Sequence, residues 1–337
     1  MQSAPHEARV KQMQRSAGGD DRVMLVTTVK DEGPNILEWI GYHRMIGFTD
    51  IVVFQNGSFD TTERALWTLQ EMGVIRYLNN DFRKPWVRAT FQNRAYRRAA
   101  RLPEYAAAKW CMALDGDEFL RVNVGQGQVQ DLIAATEDAD EVRLNWRIFG
   151  NSNLRRLDKR IVTERFSMAS EITLPARYPM PVKTLFRTDS YQLPGIHMPK
   201  RPATGGRIIR NGSGRLIEDV TVRGFQVTDP EPYGLAQINH YMVKDSDSFL
   251  MKSARGSSSH PDREIALDYW KKRNVNREED LTLVSLSDAI RDEMEALNRA
   301  SGGLLGRLRN RSLRMWREQI FSIKTRPEMR GLWEQLV

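Results

Sequence analysis

The chain has almost no cysteine: Cys111 is the only one among 337 residues. A lone thiol excludes an internal disulfide framework and fits a reducing compartment, so a cytoplasmic protein is expected. Long apolar runs are missing too. No stretch approaches the roughly 20 residues that a membrane-spanning helix requires. Residues 1–21 are polar throughout, which excludes a secretory signal and reads as a disordered lead-in. Internal repeats are absent, which excludes a solenoid. Acidic charge is the scarcer sign, with 43 Asp and Glu against 51 Lys and Arg and a formal net charge of +8. Such an excess calls for an anionic partner: a nucleotide diphosphate, a nucleic acid or an anionic membrane surface.

What remains is a globular composition, 40% hydrophobic and 28% charged, long enough for one large domain or two modest ones. The run Val23 to Val29 reads as a buried strand, and Asn35 to Ile46 carries apolar residues at helical spacing up to a stop at Gly47. Ile51 to Phe54 is a second strand, followed by the turn-rich loop Gln55 to Asp60, whose Asp60 is placed to cap a helix over Thr61 to Met72. Val74 to Leu78, a helix over Arg88 to Ala100 and the strand Trp110 to Leu114 continue the alternation. Strands alternating with helices over this length predict a parallel, Rossmann-like α/β sheet. Beyond residue 140 the order loosens. Val142 to Trp146 and Val182 to Arg187 look like strands, separated by loops rich in Pro, Gly and Arg. The pattern turns helical beyond Asp247, near Ile265 to Lys272 and Ser285 to Arg299, and ends in the basic, amphipathic segment Leu304 to Ile323.

The segment Asp115-Gly116-Asp117-Glu118-Phe119 follows directly on a hydrophobic strand. In an open α/β sheet, ligands bind in the crevice beyond the carboxyl ends of the strands. Two carboxylates at i and i+2 can reach one hard divalent cation, which in turn bridges the oxygens of a diphosphate. The intervening glycine is expected to let the backbone fold tightly. The plain alternative is an acidic surface turn. Two other motifs share letters with this string. One is the Gly-Gly-Asp-Glu-Phe hairpin of diguanylate cyclases, whose upstream Asn-Asp-x-x-Gly-His sequence is missing from residues 75–110. The other is the Asp-x-Asp-x-Thr/Val phosphatase motif, which has no Phe at its fifth position and belongs on a first strand.

Thr27-Thr28-Val29-Lys30-Asp31-Glu32-Gly33-Pro34-Asn35, continuing through Glu38-Trp39 to His43, resembles the opening of family 2-type and family 92-like glycosyltransferases. The loop Gln55-Asn56-Gly57-Ser58-Phe59-Asp60-Thr61-Thr62 resembles their Asn-Asp-Gly-Ser-x-Asp-x-Thr loop, and Asp115 to Asp117 resembles their DxD. Trp146-Arg147-Ile148-Phe149-Gly150 and His240-Tyr241-Met242-Val243-Lys244 resemble later blocks of the family-92-like branch. The resemblance implies a GT-A fold over residues 22–255. Residues 22–120 would form a Rossmann-like nucleotide-binding half and 121–255 a mixed-sheet acceptor half, with a helical extension over 256–337.

It also implies roles. Thr27, Lys30, Glu32, Asn56 and Asp115 would line the nucleotide pocket, with Asn56 standing where the family has a base-reading aspartate. Asp115, Asp117 and His240 would hold Mn2+ or Mg2+, with His197 a second histidine in reach of the same role. Lys244, Lys252 and Arg255 are available to meet phosphate charge, or form a solvated helix face. Trp146 and Phe149 suit either a sugar-stacking platform or the core. The implied reaction is transfer from a nucleotide sugar, UDP-linked by expectation, to a glycan or lipid-linked acceptor, with inversion. For the base that deprotonates the acceptor, Glu171, Asp219 and Asp229 are the candidates, and Glu118 is read as support for the metal site. The rival reading is a non-enzymatic binder of RNA or anionic membrane, although no RNA-binding motif is visible and the sequence predicts no nucleic-acid partner. The basic tail leaves a peripheral membrane contact open, with docking on the core or on a partner subunit as the alternative.

Overall fold

The computed structural model describes residues 22–81, 90–173, 180–218, 226–255 and 267–336. The lead-in 1–21 and Asp219 lie outside these residues.

Eight strands form the path of the ten-stranded main sheet, with Ile209–Asn211 and Gln226–Val227 pairing off it: β1 (Val23–Val29), β2 (Asp50–Gln55), β3 (Arg76–Asn79), β4 (Trp110–Ala113), β5 (Glu118–Val122), β6 (Glu141–Ile148), β7 (Met180–Arg187) and β8 (Ala236–His240). Their spatial order is β3-β2-β1-β4-β7-β6-β8-β5. The first four strands are mutually parallel, with Val26 of β1 opposite Val52 on one side and Ala113 on the other. From β4 onward the sheet is mixed: β7 runs antiparallel to β4 and β6, β8 parallel to β6, and β5 antiparallel to β8. A parallel half joined edge-on to a mixed half is the GT-A arrangement that the resemblance implies.

The parallel half forms because its strands are short apolar runs that can be buried on both faces. Met24, Leu25, Val26, Val52, Val53, Phe54, Cys111 and Met112 are all essentially without exposure. Helix α1 (Ile36–Met45) covers one face and ties the two halves together. Trp39 donates its indole N–H to the Glu118 carbonyl at 2.8 Å, and the Tyr42 hydroxyl donates to the Leu120 carbonyl at 2.6 Å. Glu38, fully buried in the same helix, accepts the backbone N–H groups of Val162 and Thr163 at 2.7 and 2.9 Å. It thereby satisfies the first amides of the short helix α4 (Val162–Arg165).

Helix α2 (Thr62–Glu71) follows β2, and α3 (Phe91–Ala99) precedes β4. Asp60 starts α2 as expected: its Oδ1 accepts the Thr62 N–H at 2.9 Å. The longer C-terminal helices are α5 (Ser246–Arg255), α6 (Ser287–Ala300), α7 (Leu304–Lys324) and α8 (Pro327–Gln335). They pack onto the sheet domain. The apolar side of α7, including Leu305, Leu308, Leu313, Trp316 and Ile320, is buried. Docking on the core is therefore the outcome for the amphipathic tail, and its exposed face keeps Arg307, Arg311 and Arg314. No helix among the described residues is long and apolar enough to cross a membrane.

Candidate active site

Parallel strands that leave one edge in the same direction deliver their following loops to one place. The loops after β1, β2 and β4 meet there, around a cavity of about 950 Å3. Lys30, Asp31 and Glu32 come from the first loop, Asn56 and Gly57 from the second, and Asp115 to Asp117 from the third. The mixed half contributes Trp146, His197 and His240, and the C-terminal helices close the wall with Lys252, Arg255 and Trp316.

Asp115 and Asp117 are held differently. The Asp115 carboxylate accepts from Gln92 Nε2 at 2.6 Å and from Lys183 Nζ at 3.0 Å. Lys183 is fully buried in the middle of β7 and lies 3.0 Å from Glu118 Oε2 as well. Desolvation works against its charge, but the two carboxylates outweigh that and raise its pKa. Glu118 is also fully buried, and burial pushes its carboxyl above the ordinary range against the pull of Lys183. Asp117 lies 3.4 Å from both Lys252 Nζ and His240 Nε2. Although desolvation opposes the charge, the Lys252 ammonium holds its pKa well below the usual carboxylate value. His240 reaches this point because β8 pairs with β5, which puts it opposite Glu118.

Other cations also come from α5 and the turn before it. Lys244 Nζ is 3.4 Å from Glu32, and Arg255 Nη1 is 3.5 Å from Asp31. Arg255 also donates to the Lys30 carbonyl at 2.6 Å. The segment from Lys244 to Arg255 thus lays basic groups across the loops that follow β1 and β4. The Asn56 side-chain oxygen accepts from Asn80 Nδ2 at 2.8 Å, leaving the amide N–H groups as its remaining polar function.

A divalent cation fits this donor set in one way. Asp117 and His240 supply a carboxylate oxygen and an imidazole nitrogen that already face each other at the cavity wall. No group of three or more His, Cys, Asp or Glu side chains converges as a ready cage among the described residues. Asp117 and His240 are the residues that would hold a hard cation here. Asp115, engaged by Gln92 and Lys183, is the less available carboxylate.

Several sequence expectations shift by small distances. Thr27 is fully buried in β1, and the alternation of the strand gives the cavity wall to Thr28 instead. Gly116 is not in the left-handed region, and a Cβ there would rest 3.4 Å from Val29, so no tight turn requires it. Phe149 and Trp146 both belong to the core; Phe149 lies 4.7 Å from the Tyr241 ring, and Trp146 also lines the cavity, its ring 4.4 Å from His240 and 5.4 Å from His197. His197 Nδ1 is 3.0 Å from the Val182 carbonyl, and burial with nearby Lys183 lowers its pKa to about 4. Two of the proposed bases, Glu171 and Asp229, lie elsewhere. Glu171 is exposed beside Arg277 at 3.9 Å. Asp229 is spent on Asn211 Nδ2 at 2.6 Å and Arg215 Nη1 at 2.8 Å. Asp115-Gly116-Asp117 is not a hairpin tip, because β4 and β5 are not neighbours in the sheet, and this removes the cyclase reading.

Sequence reasoning missed Lys183, Gln92, Asp31 and Trp316. Trp316 donates its indole N–H to Asp60 at 2.9 Å, and Ser312 donates to or accepts from Thr61 at 2.6 Å. Gly33 makes this docking possible, since a Cβ there would fall 2.0 Å from Ser312 Oγ.

The sequence model of glycosyltransferase family 92 matches residues 28–211, more than half of the chain. The chain belongs to glycosyltransferase family 92. Family 92 proteins of Ricinus communis and of Oryza sativa subsp. japonica are 25% and 26% identical to it over 164 and 171 residues. Those matches cover 47% and 49% of this chain but only 28% and 27% of the relatives, so the chain spans about a quarter of their length. Among solved structures, S. aureus TarS in complex with UDP overlaps at a TM-score of 0.33 and 12% identity, covering 50% of this chain and 47% of that one. The family 92 match takes in Asp115, Asp117, Trp146 and Lys183, whereas His240, Lys252 and the C-terminal helices lie beyond it.

Proposed function

We propose that the chain is a metal-dependent glycosyltransferase that moves a sugar from a nucleoside-diphosphate donor, uridine-linked, to a hydroxyl of a glycan or lipid-linked acceptor. The observation that carries this reading is the convergence of three parallel-strand loops on one cavity. There Asp117 and His240 stand 3.4 Å apart with basic side chains beside them. Membership of family 92 supports the reaction class. The cation, Mn2+ or Mg2+, would be held by Asp117 and His240, with Asp115 beside them, and would offset charge on the departing diphosphate. Lys252, 3.4 Å from Asp117, and Lys244 and Arg255 near it would exchange their present carboxylate partners for phosphate oxygens. Asn56 offers amide N–H donors to a base carbonyl. Trp146 presents its ring to the transferred sugar. The acceptor oxygen bonds to the anomeric carbon as the bond to the diphosphate breaks, its proton passes to a base, and the configuration inverts.

The exposed arginines of α7 suit an anionic lipid headgroup layer on the cytoplasmic side, where a lipid-linked acceptor would be met. Sedimentation with phosphatidylglycerol vesicles, lost when Arg307, Arg311 and Arg314 are changed to Glu, tests that contact. Equal binding to phosphatidylcholine would contradict it.

The donor is tested without an acceptor. Purified protein is incubated with a panel of UDP- and GDP-sugars with and without Mn2+, and the released nucleotide is measured. Slow, Mn2+-dependent release of UDP from one donor is expected. Absence of release from every donor, together with absence of binding to any of them, would overturn the reading.

A further inference from the structure

Glu118 sits next to the acidic pair yet lies beneath the cavity wall, and its two oxygens are used unequally. Oε2 accepts from the Asp115 N–H at 2.8 Å and from Lys183 Nζ at 3.0 Å, which fixes the carboxylate in place. Oε1 is buried and has no hydrogen-bond partner among the described residues. The same is true of Nδ1 of His240. These two unsatisfied atoms are 3.5 Å apart, on cross-strand partners of β5 and β8. Leaving a buried polar atom unsatisfied is costly, and among the described residues each of these atoms has only the other to turn to. The Trp146 ring, set at 76° to the imidazole, limits rotation of His240 away from Glu118.

We infer that Glu118 is a positioning residue for His240. It accepts the Nδ1 proton and so leaves Nε2, the nitrogen 3.4 Å from Asp117, as a lone-pair donor for a cation. The inference rests on the metal-dependent reading above and deepens it, since it names what sets the histidine's tautomer. In the neutral ring one nitrogen carries the proton and the other is free to ligate, so the partner of the first decides the use of the second. Lys183 belongs to the same brace, because without it Glu118 would lose the ammonium that anchors Oε2.

Two measurements test this. The first is Mn2+ affinity in the presence of UDP, read from the free-ion signal in electron paramagnetic resonance, for the wild type and Glu118→Gln. A glutamine amide turned toward Nδ1 donates rather than accepts, which moves the ring proton to Nε2. A loss of about 10–100-fold in Mn2+ affinity is expected. Affinity within about twofold of the wild type would overturn the brace while leaving the metal site intact. The second needs no variant: 15N correlation spectra of the wild type at alkaline pH report which nitrogen of His240 carries the proton. A proton on Nδ1 is expected, and a proton on Nε2 overturns the inference whether or not Glu118→Gln folds. If the wild type binds no Mn2+ at all, the metal assignment fails, and the tautomer still decides the role of Glu118.

Discussion

Lys183→Met removes the one ammonium that lies between Asp115 and Glu118, each 3.0 Å away, while keeping a side chain of similar length. Glu118 is then left fully buried with the Asp115 N–H as its remaining strong partner. Deleting one member of a buried ion pair costs about 3–5 kcal/mol, which is a large share of a total stability of roughly 5–15 kcal/mol. The Asp115 side chain is 27% exposed and recovers some hydration, which places the loss toward the lower end, about 3 kcal/mol.

The pH dependence identifies the cause of that loss. Burial already raises the Glu118 carboxyl, and Lys183 opposes the rise, so its removal drives the pKa higher. A carboxyl raised in the folded state contributes fully below its unfolded value, near 4.5, and that contribution is lost as pH rises through the folded value. The deficit of Lys183→Met is therefore smallest in acid and grows toward neutral pH. Urea unfolding followed by tryptophan fluorescence over a pH series measures it. A deficit below about 1 kcal/mol at neutral pH, or one that does not change with pH, would mean that Lys183 does not carry the buried Glu118 charge.

His43 is fully buried with Nδ1 2.8 Å from the Trp39 carbonyl, and burial lowers its pKa from 6.5 to about 3. The unfolded chain takes up this proton first, so the stability His43 contributes above pH 6.5 is lost as pH falls toward 3. At ~1.4 kcal/mol per pH unit this reaches several kcal/mol. His43→Gln flattens that part of the stability curve; identical acid limbs for the two proteins would contradict the assignment. Trp316→Phe keeps the ring but deletes the N–H that Asp60 accepts, with an expected loss of about 1.5–3 kcal/mol. Because Asp60 also accepts the Gly33 N–H at 3.0 Å, nucleotide affinity should fall together with Tm. Calorimetric titration with UDP checks the coupling, and an unchanged affinity would separate α7 from the site. Cys111 is buried, which raises its thiol pKa, so a thiol reagent should leave the folded protein unlabelled. Rapid labelling under native conditions would contradict that burial.

The parallel half was legible because each strand is a short apolar run bounded by turn residues, and the loops after β1, β2 and β4 carry the matching motifs. Which face a strand residue shows was not legible at that resolution. Thr27 and Thr28 differ by one position, and only the observed register sends Thr28 to the cavity. Lys183 left a trace in the sequence, a charge inside Val182 to Phe186, but its meaning depends on two carboxylates contributed by another part of the sheet. The amphipathic pattern of α7 predicted a buried side without saying against what. Its docking on Asp60 and Thr61 is a tertiary choice marked only by Gly33, whose missing Cβ makes room for Ser312. Glu171 and Asp229 were candidates by position in the chain alone. Their local partners, Arg277 and the Asn211 to Arg215 turn, hold them away from the chemistry.

On the proposed reading, Asp117 with His240 would hold a cation against a nucleotide diphosphate. Thermal unfolding of the wild type and Asp117→Ala, each with Mn2+ alone, UDP alone and both together, tests it most directly. Stabilisation that needs both ligands and scales as RT ln(1 + [L]/Kd) is expected for the wild type and should vanish in Asp117→Ala. Equal stabilisation of the two proteins, or no response of the wild type to any combination, would contradict it.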